Sequence, residues 1–270
     1  MTTRYNFTTA RLLAGMSCAL AFLAIPANAQ QKAFSINLEY SIRQDRFVVD
    51  DPAGRLSIPR SDPANAEVSW GVLVRWYATP KLHTEIGAVF TPVLGPTIDY
   101  RFVNVVQSQA LGSYHGSRPR FLVRQFYAPF SIGKPDRFEL SAGVFAGLAV
   151  QNHRTNVQSI WTREFIGSTA TQQLERISSE ASYRFLNTTT FSAEGGLHMN
   201  AFLGRRWHVR YQGSWQWGLT PLLQTDISYT SSLDPTTTRK ATVVGRGSGL
   251  TNGLTVGYRF GQWKRDTAEE

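Results

Sequence analysis

The sequence predicts an all-β chain: an eight-stranded, antiparallel, up-and-down transmembrane β-barrel behind an N-terminal signal peptide. Three observations predict it. Apolar residues recur at every second position through eight separate stretches, the signature of strands with two unlike faces. Tryptophans stand at both ends of one such face, Trp207 and Trp217. The connections between the stretches alternate between tight and long, which suits a sheet with two unlike ends.

Residues 1–29 stand apart from the fold. Arg4 and Arg11 open a basic start, Leu12 to Ile25 is apolar, and Pro26 breaks the run. Ala27-Asn28-Ala29 then offers small residues for cleavage after Ala29, the pattern of a secretory signal peptide. The apolar stretch is too short for a transmembrane helix. Cys18, the only cysteine, lies inside it, so disulfide frameworks and cysteine-ligated metals are excluded from the mature chain. Without Arg4 and Arg11, 26 of the 28 basic residues remain against 19 acidic ones, a net charge of +7. The expected organisation is signal peptide 1–29, barrel 30–263 and a short periplasmic tail 264–270.

The strands follow in order: roughly 33–49, 66–79, 81–92, 119–133, 137–151, 183–202, 207–219 and 248–261. In the first, Phe34, Ile36, Leu38, Tyr40 and Ile42 alternate with Ser35, Asn37, Glu39, Ser41 and Arg43. The run from Phe138 through Leu140, Ala142, Val144, Ala146 and Leu148 to Val150 is the cleanest. In 119–133, Phe126, Ala128, Phe130 and Ile132 share a phase into which Arg124 intrudes, so a bulge or rim position is expected there. Residues 98–106 alternate briefly and suggest a strand extended beyond the membrane.

Three connections are tight, near Pro80, near Pro135 and at 203–206; four are long, about 50–65, 93–118, 152–182 and 220–247. The apolar phase is even on both 66–79 and 81–92, and odd on both 183–202 and 207–219. A hairpin keeps such phases on one face only with an odd number of loop residues, which loops of three or five satisfy.

The spacing of the tryptophans identifies the solvent. Ten residues at ~3.4 Å each, tilted ~40°, span ~26 Å along a membrane normal. The apolar band of an outer-membrane barrel is about 25 Å tall and rimmed by aromatics. Trp70 and Trp76 repeat the placement, and Trp215 and Tyr258 join the expected girdle. A secreted β-sandwich also alternates, and a lipocalin-type barrel carries the reverse pattern, but neither calls for tryptophans at strand ends. Outer-membrane lipids are therefore the expected surroundings.

The opposite face lines a barrel interior just wide enough for side chains to fill. Glu39, Arg43, Glu67, Arg75, Glu85, Glu139, Glu194, Arg210 and Arg259 all point inward. Unpaired charges there would be costly, so an internal ion-pair network is expected in preference to a conducting pore. His83, His198 and His208 share this face and raise metal binding or catalysis. Packing of these rings beside Glu85 or Glu194 is the simpler reading, so no catalytic, metal or cofactor residue is assigned. Basic residues gather at the tight-turn end as Lys81, Lys134, Arg137, Arg205, Arg206, Lys264 and Arg265, where they suit anionic lipid headgroups. No basic patch interleaved with stacking aromatics supports nucleic-acid binding.

With eight strands and the closing "GLTVGYRFG" in place, the chain resembles the small OmpA/OmpX-like outer-membrane barrels, and especially the PorT-like β-barrel family. The resemblance covers residues 33–261 and rests on pattern. One departure is that Gln262 to Glu270 follow Phe260-Gly261, whereas such barrels more often end on the aromatic. The resemblance implies a non-enzymatic barrel with a structural role or a protein partner reached through its external loops, and, through the PorT-like members, an accessory part in protein secretion. The alternative from another class is an outer-membrane lipid-modifying enzyme. One deacylase family carries a lipid-facing His-x-Ser pair on a late strand; here the nearest match is "LHMNA", with Asn200 in place of the serine and His198 turned inward. Neither reading fixes an oligomeric state.

Overall fold

The computed structural model describes residues 34–58, 66–79, 81–94, 96–102, 106–110, 113–134, 137–153, 159–168, 171 and 173–260. The expected signal peptide, its cleavage site and the 264–270 tail lie outside the described residues. Fourteen strands run in chain order: β1 (Phe34–Asp50), β2 (Leu56–Ser57), β3 (Ala66–Tyr77), β4 (Leu82–Leu94), β5 (Thr97–Arg101), β6 (Val106–Ala110), β7 (Ser113–Lys134), β8 (Phe138–Asn152), β9 (Ser159–Ser168), β10 (Leu174–Phe185), β11 (Thr189–Leu203), β12 (Trp207–Gly218), β13 (Leu223–Ser231) and β14 (Asp234–Phe260).

Eight of them close a barrel. β1, β3, β4, β7, β8, β11, β12 and β14 pair in that order, and β14 returns to β1, all antiparallel. Closure leaves the eight barrel strands no free edge, which strands in lipid require. The hairpins have the expected parity: Tyr77 pairs with His83 across five residues, and Lys134 with Phe138 and Leu203 with Trp207 across three each. Gly204, at φ 64°, takes the left-handed position in the last of these turns.

The barrel is inverted relative to a soluble one. Leu38, Ile42, Trp70, Val72, Phe121, Val144, Leu197, Met199, Leu254 and Val256 are exposed on its outside. Ser35, Asn37, Glu39, Arg75, Glu85, Arg124, Glu194, Arg210 and Thr255 are buried inside. The wall also carries one apolar spot, Leu73, Val89, Leu122 and Ala149. Apolar atoms outside and charges within make this the fold of an outer-membrane β-barrel.

The expected irregularity on the fourth barrel strand is present, but its position corrects the expected phases. The register slips between Tyr127 and Phe130. Above the slip, Phe126 and Ala128 are buried in the lumen beside Arg124, while Phe121 and Tyr127 face out; below it, Phe130 and Ile132 face out. Arg124 is therefore in phase, and Phe126 and Ala128 do not face lipid.

The long connections are folded. The stretch expected as one strand over 183–202 is two: Tyr183 lies near the end of β10, residues 186–188 leave the strand path, and β11 restarts at Thr189. β9, most of β10 and β13 fall in stretches expected as long connections, and extend the sheet from the upper half of β14 in the order β14-β13-β10-β9. The described part of 98–106, residues 98–102 and 106, does not prolong a barrel strand. β5 instead joins β2 and β6 in a separate three-stranded sheet.

The two sheets enclose a second core beyond the barrel's long-connection end. Leu56, Ile98, Tyr100, Phe102, Phe165, Ile177, Ala181, Ile227, Tyr229, Ala241 and Val243 are buried together, with Phe47, Val49 and Ile58 packed against them. Tyr100 ties the layers, its ring 5.6 Å from Phe165 and 5.9 Å from Tyr229. The Gln107 side chain on β6 accepts from the Ile166 backbone N–H at 3.0 Å and donates to the Ile166 carbonyl, joining β6 to the outer side of β9. This β-sandwich, here called the crown, draws on all four long connections.

Candidate functional site

The lumen is the first candidate, because the barrel turns its charged side chains there. Three levels of pairing run along it. Nearest the crown, Arg43 on β1 contacts Asp45 at 2.9 Å and Glu67 on β3. At mid-height, Arg124 on β7 bridges Glu39 on β1 and Glu194 on β11. Arg120 supports it, reaching Glu194 at 3.4 Å and bonding Gln216. Arg210 on β12 lies 3.6 Å from Glu39, and Gln212 donates to Glu39 at 3.4 Å. Towards the tight turns, Glu85 on β4 receives Arg75 at 2.8 Å, Arg210 at 2.7 Å and the Asn37 amide at 3.0 Å.

These contacts cross the barrel. Residues 39, 124, 194 and 210 come from four strands, and small residues opposite make room for them. A Cβ added at Gly147 on β8 would fall 2.9 Å from Arg124 Cγ and 3.0 Å from Glu194 Oε1. The guanidinium planes also stack on rings: Arg210 lies 4.4 Å from the Phe126 centroid, and Arg259 lies 4.5 Å from Phe202 and 5.1 Å from Tyr77. Between Glu39, Arg43, Arg120, Arg124 and Thr251 a cavity of about 10 Å³ remains, room for about one water.

Of the residues expected inside, Glu39, Arg43, Arg75, Glu85, Glu194, His198 and Arg210 are buried together. Glu139 and Arg259 sit half-buried near the tight turns. The sequence reading missed Arg120 and Arg124; their signal was the even phase they share with Leu122 and Phe126, masked by the slip below. His83, His198 and His208 are buried in this lower part. The His83 ring stacks on Phe126 at 4.9 Å, His198 meets Phe126 edge-on at 5.1 Å, and Asn200 Nδ2 donates to His198 Nδ1 at 3.0 Å. Ser214, the inward hydroxyl nearest this level on the neighbouring strand, makes no hydrogen bond to any of them. Among the described residues, no cluster of histidine and carboxylate side chains has the geometry to hold a metal ion.

The girdle residues take their expected side of the wall. Trp70, Trp76, Trp207 and Trp217 are exposed on the outside, Trp70 stacked on Phe90 at 4.6 Å. Tyr258, half-buried, meets Trp207 edge-on at 5.0 Å. Trp215 is half-buried beneath Arg46, whose guanidinium is 4.5 Å from the ring centroid. At the tight-turn end, Lys81, Arg137, Arg205 and Arg206 are exposed as expected. The side chain of Lys134, and residues 264 and 265, lie outside what the structure describes.

The crown is the second candidate. Its outer sheet face is mostly polar: the register aligns Thr242, Asp226 and Ser182 with Ile160 in one row, and Lys240, Ser228, Glu180 and Thr162 in the next. Beneath, Asp51 accepts the Tyr229 hydroxyl at 3.0 Å and the backbone N–H groups of Arg55 and Leu56 at 2.7 and 2.8 Å, pinning the first connection to β13. Burial, together with the hydrogen bond to Asp51, raises the Tyr229 phenol above its ordinary pKa, and burial does the same to Tyr100.

No family model matches the sequence, and no curated protein matches it. Among solved structures, the N-terminal β-barrel domain of Pseudomonas aeruginosa OprF is 13% identical and covers 85% of this chain and 98% of its own, with a TM-score of 0.39. The outer membrane protein OprG from Pseudomonas aeruginosa is 10% identical over 86% of this chain and 97% of its own, at 0.42. A major outer membrane protein from Thermus thermophilus is 10% identical over 85% and 99%, at 0.37. Likeness at this level says nothing of shared activity, and the barrel rests on its own strand register and inverted polarity.

Proposed function

We propose that the protein is an integral protein of the bacterial outer membrane, exported by its signal peptide, whose lumen is plugged by its own side chains and whose work is done by the crown, as a structural element or as a platform for a protein partner. The observation that carries the plugged lumen is the mid-height bridge. Arg124 is held by carboxylates from two other strands, Glu39 and Glu194, across a barrel of small bore. A hydrated ion crossing this level would have to break buried pairs, and removing a partner from a buried charge is strongly unfavourable. Against a lipid-modifying enzyme stand the inward direction of His198, its bond to Asn200 in place of a serine, and the unpartnered Ser214.

The test is reconstitution of the full chain in planar bilayers. The wild type is expected to show no steady ion conductance, and replacing both mid-height arginines, Arg120→Ala with Arg124→Ala, is expected to open one. Steady wild-type conductance would sink the plugged reading. A changed lipid A or phospholipid acyl pattern in cells carrying the wild type, lost with His198→Ala, would give the protein to the enzyme class instead.

A further inference from the structure

We propose that the outer rim of the barrel between β1 and β14 binds a phosphate-bearing glycolipid of the outer leaflet, of the diphosphorylated lipid A type, through Arg46 and Arg246. The proposal rests on the reading of the chain as an outer-membrane barrel, whose long connections, here the crown, face the cell exterior. Its starting point is an irregularity in the seam that closes the barrel. Arg46 pairs with Ser248 and Phe47 with Gly245, so Arg246 and Gly247 are left without opposite residues. Gly247 takes φ 66°, the left-handed conformation that a side chain would strain. The bulge leaves Arg246 between Gly245, opposite Phe47, and Ser248, opposite Arg46, with its backbone beside Gly218 of β12, the strand over whose Trp215 the Arg46 guanidinium lies. Both side chains are exposed. Neither forms an ion pair with a described residue, in contrast to Arg43, Arg120 and Arg124 inside.

The surroundings define the ligand. Below Arg46 on the same outer face lie Gln44 paired with Leu250 and then Ile42, while exposed Trp217 on β12 flanks Ser248; Leu250 and Ile42 open the apolar belt. Arg46 is held over Trp215 at 4.5 Å, so its guanidinium sits at the level where an interfacial tryptophan meets headgroups. Above, exposed Val48 continues the patch. A ligand here needs an apolar part for the belt and anionic oxygen where the two guanidiniums stand. A guanidinium binds phosphate with two parallel N–H donors, so neighbouring arginines favour a doubly anionic group over a carboxylate. A soluble acidic peptide would leave the apolar lower half of the patch unused.

Native mass spectrometry of the full chain in detergent tests the assignment. The probes are diphosphorylated lipid A, dephosphorylated lipid A and inorganic phosphate. The wild type is expected to retain diphosphorylated lipid A, and the Arg46→Gln/Arg246→Gln variant to bind it at least about tenfold more weakly, the loss of two charge-assisted contacts. The Arg205→Gln/Arg206→Gln variant, altered at the opposite end, is expected to bind as the wild type does. Equal retention by the folded rim variant, or equal binding of dephosphorylated lipid A, would overturn the site. Displacement of the lipid by inorganic phosphate at the lipid's own concentration would assign the arginines to free phosphate. An antibody tag at Ser232 on intact cells reads the orientation separately. An unreachable tag would overturn the outward-facing crown, and with it the outer-leaflet source, whatever the binding data.

Discussion

The barrel and the crown are built from the same strands with opposite polarity. On β1, Ser35, Asn37, Glu39, Ser41 and Arg43 point inward within the barrel, and two residues past Asp45 the same phase carries Phe47 and Val49 into the crown's core. On β14 the inward phase reads Ala241 and Val243 in the crown, then Thr251, Gly253, Thr255 and Gly257 in the lumen. One continuous strand is thus apolar-in where water surrounds it and polar-in where lipid does. The alternation states that two faces differ, and the solvent decides which one is turned inside. The energetics differ accordingly. The crown is held by ordinary burial of apolar surface, at roughly 25 cal/mol per Å². The barrel interior buries less carbon, chiefly Leu73, Val89, Leu122, Ala149 and the rings on which its arginines stack, so its stability depends more on its charges finding partners.

The largest effect that sharpens this contrast is expected from Arg124→Ala. It removes the partner of two buried carboxylates, and breaking such a pairing costs about 3–5 kcal/mol. Urea titrations of the protein in lipid vesicles, followed by the change in gel migration between folded and boiled samples, should show the barrel midpoint falling. An unchanged midpoint would mean that Arg120 and Arg210 suffice for Glu194 and Glu39, and that the lumen network is redundant.

The corresponding change in the crown is Phe165→Ala, which opens a hole against Tyr100; truncations of this kind cost about 3 kcal/mol or somewhat more. Here the expected readout is limited proteolysis of the crown on vesicles, with the barrel's gel migration unaltered. If Phe165→Ala lowered the barrel midpoint as far as Arg124→Ala, the two regions would be one cooperative unit and the contrast would fail.

The smallest effect is a pH dependence confined to the crown. Tyr229 has a raised pKa in the folded state, so its contribution is fully present below the ordinary tyrosine value, about 10. It is lost as pH rises beyond that, when the phenolate must face Asp51. The crown of the wild type should become protease-sensitive as pH climbs past roughly 10, and Tyr229→Phe should flatten that rise at the cost of one hydrogen bond at neutral pH. An alkaline transition of equal size in Tyr229→Phe would move the cause to Tyr100 or elsewhere.

Much of the barrel was legible because lipid and lumen impose an uninterrupted period of two. The misreadings have specific causes. Tyr183 and Phe185 share odd parity with Phe191 and Ala193, so 183–202 read as one strand. Yet the first pair is buried at the foot of the crown and the second lies on the lipid side, with the turn at 186–188 between them. Phe126 looked like a lipid-facing residue because it is aromatic, but inside the barrel it is the surface on which Arg210 and His83 stack. The slip at Tyr127–Phe130 then put Phe130 and Ile132 outside in the same even phase and hid the change.

By itself the sequence determined that eight strands alternate, which face of most of them is apolar, where the tight turns fall, and that Trp70, Trp76, Trp207 and Trp217 stand on the outer face. These are local properties, fixed by side-chain order along a pleated backbone. Only the tertiary structure decided that Arg124 joins Glu39 to Glu194, and that residues from four separate connections meet around Tyr100 to form the crown. The partners of Arg124 are separated from it by 70 residues or more in the chain. They are chosen by how the sheet closes and how its strands are staggered, which no single stretch encodes.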